Sequence, residues 1–175
     1  RLNGITYEAL PIETNDEGKE NLFAGRCDVY TTDASGLSST RAAAANPNKW
    51  LVLPEIISKE PLGPLVRHGD HQWGDVVRWS LNAMIIAEEL GVSSENVDAQ
   101  LSSNVPEVLR LLGVEGSYGE MLELAPDWAY QIIKQIGNYS ESYEANVGPD
   151  TPLEIARGLN ALWTQGGILY APPFR

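Results

Sequence analysis

Gly25-Arg26-Cys27-Asp28-Val29-Tyr30-Thr31-Thr32-Asp33-Ala34-Ser35-Gly36-Leu37 reads as a short strand that delivers Asp33 to the mouth of a following helix. Asp28-Val29-Tyr30-Thr31-Thr32 is the strand, and either Asp33 or Ser35 can cap the helix behind it. That helix runs on through Arg41 and the alanines to Asn46-Pro47, where proline stops it. A carboxylate at the carboxyl end of a strand, where α/β sheets present ligands, can grip a cationic group. The same stretch holds Cys27, the only cysteine in the chain. It reads either as a small buried hydrophobe or as a thiol whose partner lies elsewhere.

Working outward, the front of the chain alternates strand and helix signals at the spacing of an α/β layer. Ile5-Thr6-Tyr7-Glu8-Ala9-Leu10-Pro11-Ile12 is a predicted strand, and Asn15-Asp16-Glu17 opens a helix that ends at Gly25. Trp50-Leu51-Val52-Leu53 and Leu62-Gly63-Pro64-Leu65-Val66 are two further predicted strands, separated by the polar turn Ser58-Lys59-Glu60-Pro61. Near residue 70 the pattern changes. Trp73, Val76, Val77, Leu81, Met84, Ile85 and Leu90 fall at helical spacing, with Gly91 as the stop. Short helices follow from Ser93 and from Val105-Pro106, a longer one opens at Asp127, and a last one is predicted from Thr151-Pro152 to Gly166-Gly167. Tyr170 to Arg175 reads as an extended tail.

The 175 residues suffice for one domain, or for parts of two lobes whose remainder lies elsewhere. With 24 acidic against 12 basic residues, the formal charge of -12 repels phosphate backbones and anionic lipids, so no nucleic-acid or membrane partner is expected. The chain opens at Arg1 with neither Met nor a signal pattern, which reads as a piece of a longer product. No nucleophile elbow, phosphate-cradling glycine loop or zinc-protease histidine pair is present. His68 and His71 have a spacing that can place two imidazoles on one helical face, but Gly69 and Asp70 favour an exposed turn and helix cap. No metal and no cofactor is expected. Asp16-Glu17 and Glu88-Glu89 read as solvated helical faces, and the five tryptophans as core or lobe-packing residues.

Residues 24–37, 53–64 and 127–134, together with Ala156-Arg157-Gly158-Leu159-Asn160-Ala161-Leu162-Trp163 and Tyr170-Ala171-Pro172-Pro173, closely resemble the general L-amino-acid-binding periplasmic proteins of polar amino-acid ABC transporters. The resemblance implies an α/β fold of the type II periplasmic-binding-protein kind, a two-lobed clamp of which this chain is part. By it, residues 1–61 complete lobe two, residues 62–67 form the return hinge strand, and residues 68–175 are the mostly helical C-terminal part of lobe one. It further implies a periplasmic protein that is not an enzyme, with free L-amino acids and membrane permease subunits as partners. Cys27 then matches one half of a disulfide whose other cysteine is absent from this chain.

A free amino acid is a zwitterion, and burying it costs several kcal/mol per charge unless each charge meets hydrogen-bonded opposite charge. Asp33 matches the family's ammonium-gripping aspartate, with Thr32 and Tyr30 as neighbouring hydroxyls and Lys59 and Glu60 bordering the cleft. The family's carboxylate-clamping arginine has no match here, so the chain alone is expected to bind weakly. The same clamp fold also resembles periplasmic cyclohexadienyl dehydratases, for which Glu60 is the one candidate general acid. A third expectation is a truncated chain whose uncovered apolar surface drives self-association.

Overall fold

The computed structural model describes residues 4, 6–59 and 61–175, which divide into two compact units meeting in sequence at Glu60 and Pro61. In the first unit Thr14 caps helix α1 (Asn15–Phe23) by accepting from the Glu17 N–H at 3.2 Å, one residue earlier than the sequence suggests. Asp33 caps α2 (Ala34–Ala42), which settles the choice between Asp33 and Ser35. The helix ends before Ala43, and Pro47–Lys49 form a single 3₁₀ turn. Tyr30 lies against α1: a Cβ on Gly18 would stand 2.6 Å from its ring, and its hydroxyl donates to Asn15 Oδ1 at 3.1 Å.

The four predicted strands do not form among the described residues, whose one β-bridge is the isolated parallel pair Leu162 and Leu169. Ile5 lies outside the described residues. A strand needs a neighbour to accept and donate its backbone hydrogen bonds, and these segments have none among the described residues. Their apolar side chains accordingly stand open, with Leu65 99 %, Leu51 80 % and Val29 68 % exposed. The first unit buries polar residues, Asn21, Ser38 and Thr40, while all of the described buried apolar side chains belong to the second.

The second unit is built on α3 (His71–Glu89), capped by Asp70 and stopped at Leu90 before Gly91 at φ 67°, as its periodicity predicts. Its buried stripe of Ala83, Ile85, Ile86 and Ala87 meets α5 (Pro106–Leu111), α7 (Trp128–Ile136) and α8 (Tyr139–Asn146). The one-turn helices α4 (Val97–Gln100) and α6 (Tyr118–Met121) fill the gaps, α4 against α7. The tail has neither helix nor strand and is anchored at its end. Phe174 is buried with its ring 5.2 Å from those of Trp79 and Tyr118 and 6.2 Å from that of Trp128, and Arg110 Nε donates to its carbonyl at 3.1 Å.

The predicted last helix is absent; Glu154 at φ 52° and Gly158 at φ 47° break the run, leaving 3₁₀ turns at Gly158–Asn160 and Trp163–Gln165. Tertiary contacts override local propensity here. Arg157 donates to the Asn160 carbonyl at 2.8 Å and to both Glu88 oxygens at 3.0 and 3.1 Å, with its guanidinium 5.3 Å from the Tyr139 and Tyr143 ring centroids. Glu88 is therefore a largely shielded ion-pair partner rather than a solvated residue, and Glu89 accepts from Trp163 Nε1 at 3.1 Å.

Helix α8, which the periodicity does not announce, starts at a reciprocal capping box between Asn138 and Glu141. Burial pushes the Glu141 carboxyl up, but the Ser94 hydroxyl and the Asn138 and Ser94 N–H groups outweigh it and leave the net shift downward. A carboxyl held low in the fold contributes stability above its unfolded pKa and loses it as pH falls through the folded value. Glu141→Gln is expected to cost about 1 kcal/mol at neutral pH. That deficit should vanish at an acid pH below the lowered folded value, where wild type is protonated too. Urea denaturation at the two pH values measures it, and an equal deficit at both would sink the assignment.

Candidate ligand-binding site around Asp33

The chain leaves irregular backbone for α2 at Asp33, whose own backbone is extended at φ -60° and ψ 153°. That geometry turns the side chain back over the first helical turn. Oδ1 accepts from the Gly36 N–H at 2.8 Å and from the Ser35 hydroxyl, while Oδ2 meets only the Thr32 hydroxyl, at 3.4 Å. The Ser35 hydroxyl and the Gly36 N–H hold the Asp33 carboxyl below the usual carboxylate range, outweighing its slight burial. One oxygen is thus committed to the helix start, and the other keeps lone pairs for a further donor. A positively charged group bearing several N–H donors, such as an ammonium, suits it.

Of the predicted ligand residues, Thr32 and Asp33 come together and Tyr30 does not join them through any hydrogen bond, its hydroxyl being given to Asn15. Lys59 is exposed, and Glu60 lies outside the described residues. Cys27 is half-buried and free. Ser35 and Gly36, which the sequence reading leaves without a ligand role, prove to be the groups that fix the carboxylate. The spacing Asp-x-Ser-Gly is the signal for them, since residues two and three beyond a cap are those that can reach it.

His68 and Gly69 form the expected turn, and Asp70 Oδ1 accepts from the Trp73 N–H at 3.1 Å as a helix cap. No group of three or more His, Cys, Asp or Glu side chains among the described residues could hold a metal ion. A hollow of about 390 Å³ opens beside this turn, lined by Arg67, Asp70, Asp75 and Arg78 among others, and contains none of the predicted ligand residues. Among the tryptophans Trp128 is buried, whereas Trp73 and Trp163 are about half exposed, at 55 % and 50 %, rather than core. No helix among the described residues is long and apolar enough to cross a membrane.

No family model matches the chain. Individual proteins do. The chain is 52 % identical to the glutamate/glutamine/aspartate/asparagine-binding protein BztA of Rhodobacter capsulatus, a match covering 100 % of the chain and 52 % of that relative. It is 51 % identical to the general L-amino acid-binding periplasmic protein AapJ of Rhizobium johnstonii, with the same two coverages. Among solved structures, an ABC transporter periplasmic binding protein from Brucella ovis with glutathione bound matches with a TM-score of 0.88 and 48 % identity, over 99 % of this chain and 55 % of that one. The chain spans about half the length of the curated relatives it matches. From one end to the other it is a stretch of the amino-acid ABC-transporter binding-protein family, with a periplasmic-binding-protein fold.

Proposed function

We propose that the protein containing this chain captures free L-amino acids in the periplasm and delivers them to the membrane permease of an ABC transporter. The observation that carries the reading is Asp33: an ionised carboxylate with one oxygen fixed and the other open, in a chain half-identical to amino-acid binders along its whole length. Thr32 borders that oxygen, and Tyr30 serves as a support for α1 more than as a ligand group. Lys59 and Glu60 are kept as cleft-border residues on the resemblance alone.

Residues 1–61 belong to one lobe, residues 62–67 to a hinge strand and residues 68–175 to the other lobe. The exposed apolar side chains at Val29, Leu51, Ile57 and Leu65 support this, because they are what half-built sheets leave open when the neighbouring strands lie in another part of the protein. The same account gives Cys27 a disulfide partner in that other part, in an oxidising periplasm. The uncovered surface also favours self-association of the chain on its own. The dehydratase alternative depends on Glu60, outside the described residues, while the relatives' names speak for transport rather than catalysis.

The ligand class follows from what the relatives' ligands share. The four amino acids in BztA's name and the glutathione in the Brucella structure all carry a free α-ammonium beside a free α-carboxylate, with different groups beyond them. An Asp33 that reads the ammonium tolerates that variety. Calorimetry on the full-length gene product is expected to show binding of L-glutamate, L-glutamine and glutathione, and none of N-acetyl-L-glutamate, whose nitrogen is uncharged. The 175-residue chain by itself is expected to bind each far more weakly. Undiminished binding of the acetylated compound would remove the basis of the reading.

A further inference from the structure

Gly36 sits inside α2 and is not among the glycines with positive φ, so no backbone conformation demands it. Glycine is among the poorest residues for a helix, and alanine the best. Space is the remaining reason. A Cβ built on Gly36 would stand 2.8 Å from Asp33 Oδ2 and 3.2 Å from Thr32 Cγ2. The carboxylate cannot simply turn aside, because Oδ1 is held by the Gly36 N–H and the Ser35 hydroxyl.

We infer that Gly36 is a positioning residue for ligand binding: its missing side chain leaves Asp33 Oδ2 open and aimed, at the expense of helix propensity. The inference rests on Asp33 being the ammonium acceptor proposed above. Any side chain at position 36 presses on the one oxygen that is free and pushes the carboxylate off its cap. The first turn of the helix survives this, since a helix interior prefers alanine to glycine. Binding does not.

The test compares Gly36→Ala and Asp33→Asn with wild type in the full-length gene product, with L-glutamate, L-glutamine and glutathione as probes. Gly36→Ala is expected to weaken binding about tenfold or more, the size of one charge-assisted hydrogen bond lost. Its thermal midpoint should be unchanged or raised. The pH below which affinity is lost should also move upward, because the displaced carboxylate has fewer donors holding it ionised. If Asp33→Asn weakens binding but Gly36→Ala binds like wild type, this inference fails and the reading of Asp33 stands. If Asp33→Asn binds like wild type, or the wild type binds none of the probes, both fail. A Gly36→Ala protein that does not fold, or melts lower, also overturns the inference, for then Gly36 serves the fold.

Discussion

Asp33→Asn is expected to weaken L-glutamate binding by the full-length gene product by roughly 100-fold or more, the range found when one member of a desolvated charge pair is removed. Its thermal midpoint should hardly move. The separation is available because Asp33 carries two roles on two oxygens. Asparagine is as good a helix cap as aspartate, so its amide oxygen can keep the Gly36 N–H and the start of α2. It brings no charge to the ligand's ammonium. Asp33→Ala loses both and is expected to cost about 1 kcal/mol of stability besides the affinity. The pH dependence has a definite sign. The fold holds this carboxyl low, so its contribution is complete above the ordinary carboxylate range and disappears only as pH falls through the depressed folded value. Affinity for L-glutamine, whose side chain does not titrate, should therefore stay flat from neutral pH down to about pH 4. A midpoint that falls with Asp33→Asn while affinity is retained would make the residue a cap and nothing else.

How much of this is readable without coordinates depends on how local the cause is. The α3 helix is legible because its apolar residues recur at helical period and Asp70 and Gly91 mark its ends. The cap at Asp33 is legible too, though the choice over Ser35 is not, since both residue types cap and only the backbone geometry at 33 decides. Strand signals at 28–32, 50–53 and 62–66 are real patterns without partners among the described residues, and a strand is a property of a pair. Helix α8 is missed because one apolar stripe is the signal sought, whereas α8 is held at its start by the Asn138 and Glu141 box. The false helix after Thr151 errs the other way: Thr-Pro-Leu-Glu begins like a helix, and Arg157 is drawn off to a residue far away in sequence. The resemblance reaches Asp33, Thr32 and Tyr30 by position, but the different environment of Tyr30 is visible only where Gly18 lets its ring dock.

That distant partner supports the second large effect. Glu88 lies in the last turn of α3, where the helix dipole disfavours a carboxylate, and its side chain is only 9 % exposed. Arg157, 16 % exposed, compensates both costs at once, meeting the two carboxylate oxygens from one guanidinium nitrogen and resting on two tyrosine rings. Glu88→Leu should destabilise the second unit by roughly 3 kcal/mol, because it strands a shielded guanidinium rather than merely deleting an attraction. Arg157→Leu should cost as much or more, since it leaves a carboxylate at a helix C-terminus with no cation. Replacing both with leucine removes the stranded charges together, so the double variant is expected to be more stable than either single one. The pair Lys134 and Asp98 serves as the contrast, with its side chains 41 % and 59 % exposed at 2.6 Å. Breaking it should cost little and be masked by salt, whereas the Glu88 and Arg157 coupling should persist in salt. Urea denaturation of the four proteins of the cycle, at low and high salt, measures this directly. Additive single effects, or a coupling that salt abolishes, would place Arg157 among ordinary surface charges and leave the path of the chain after Thr151 to its other anchors, the Trp163 bond to Glu89 and the buried Phe174 ring.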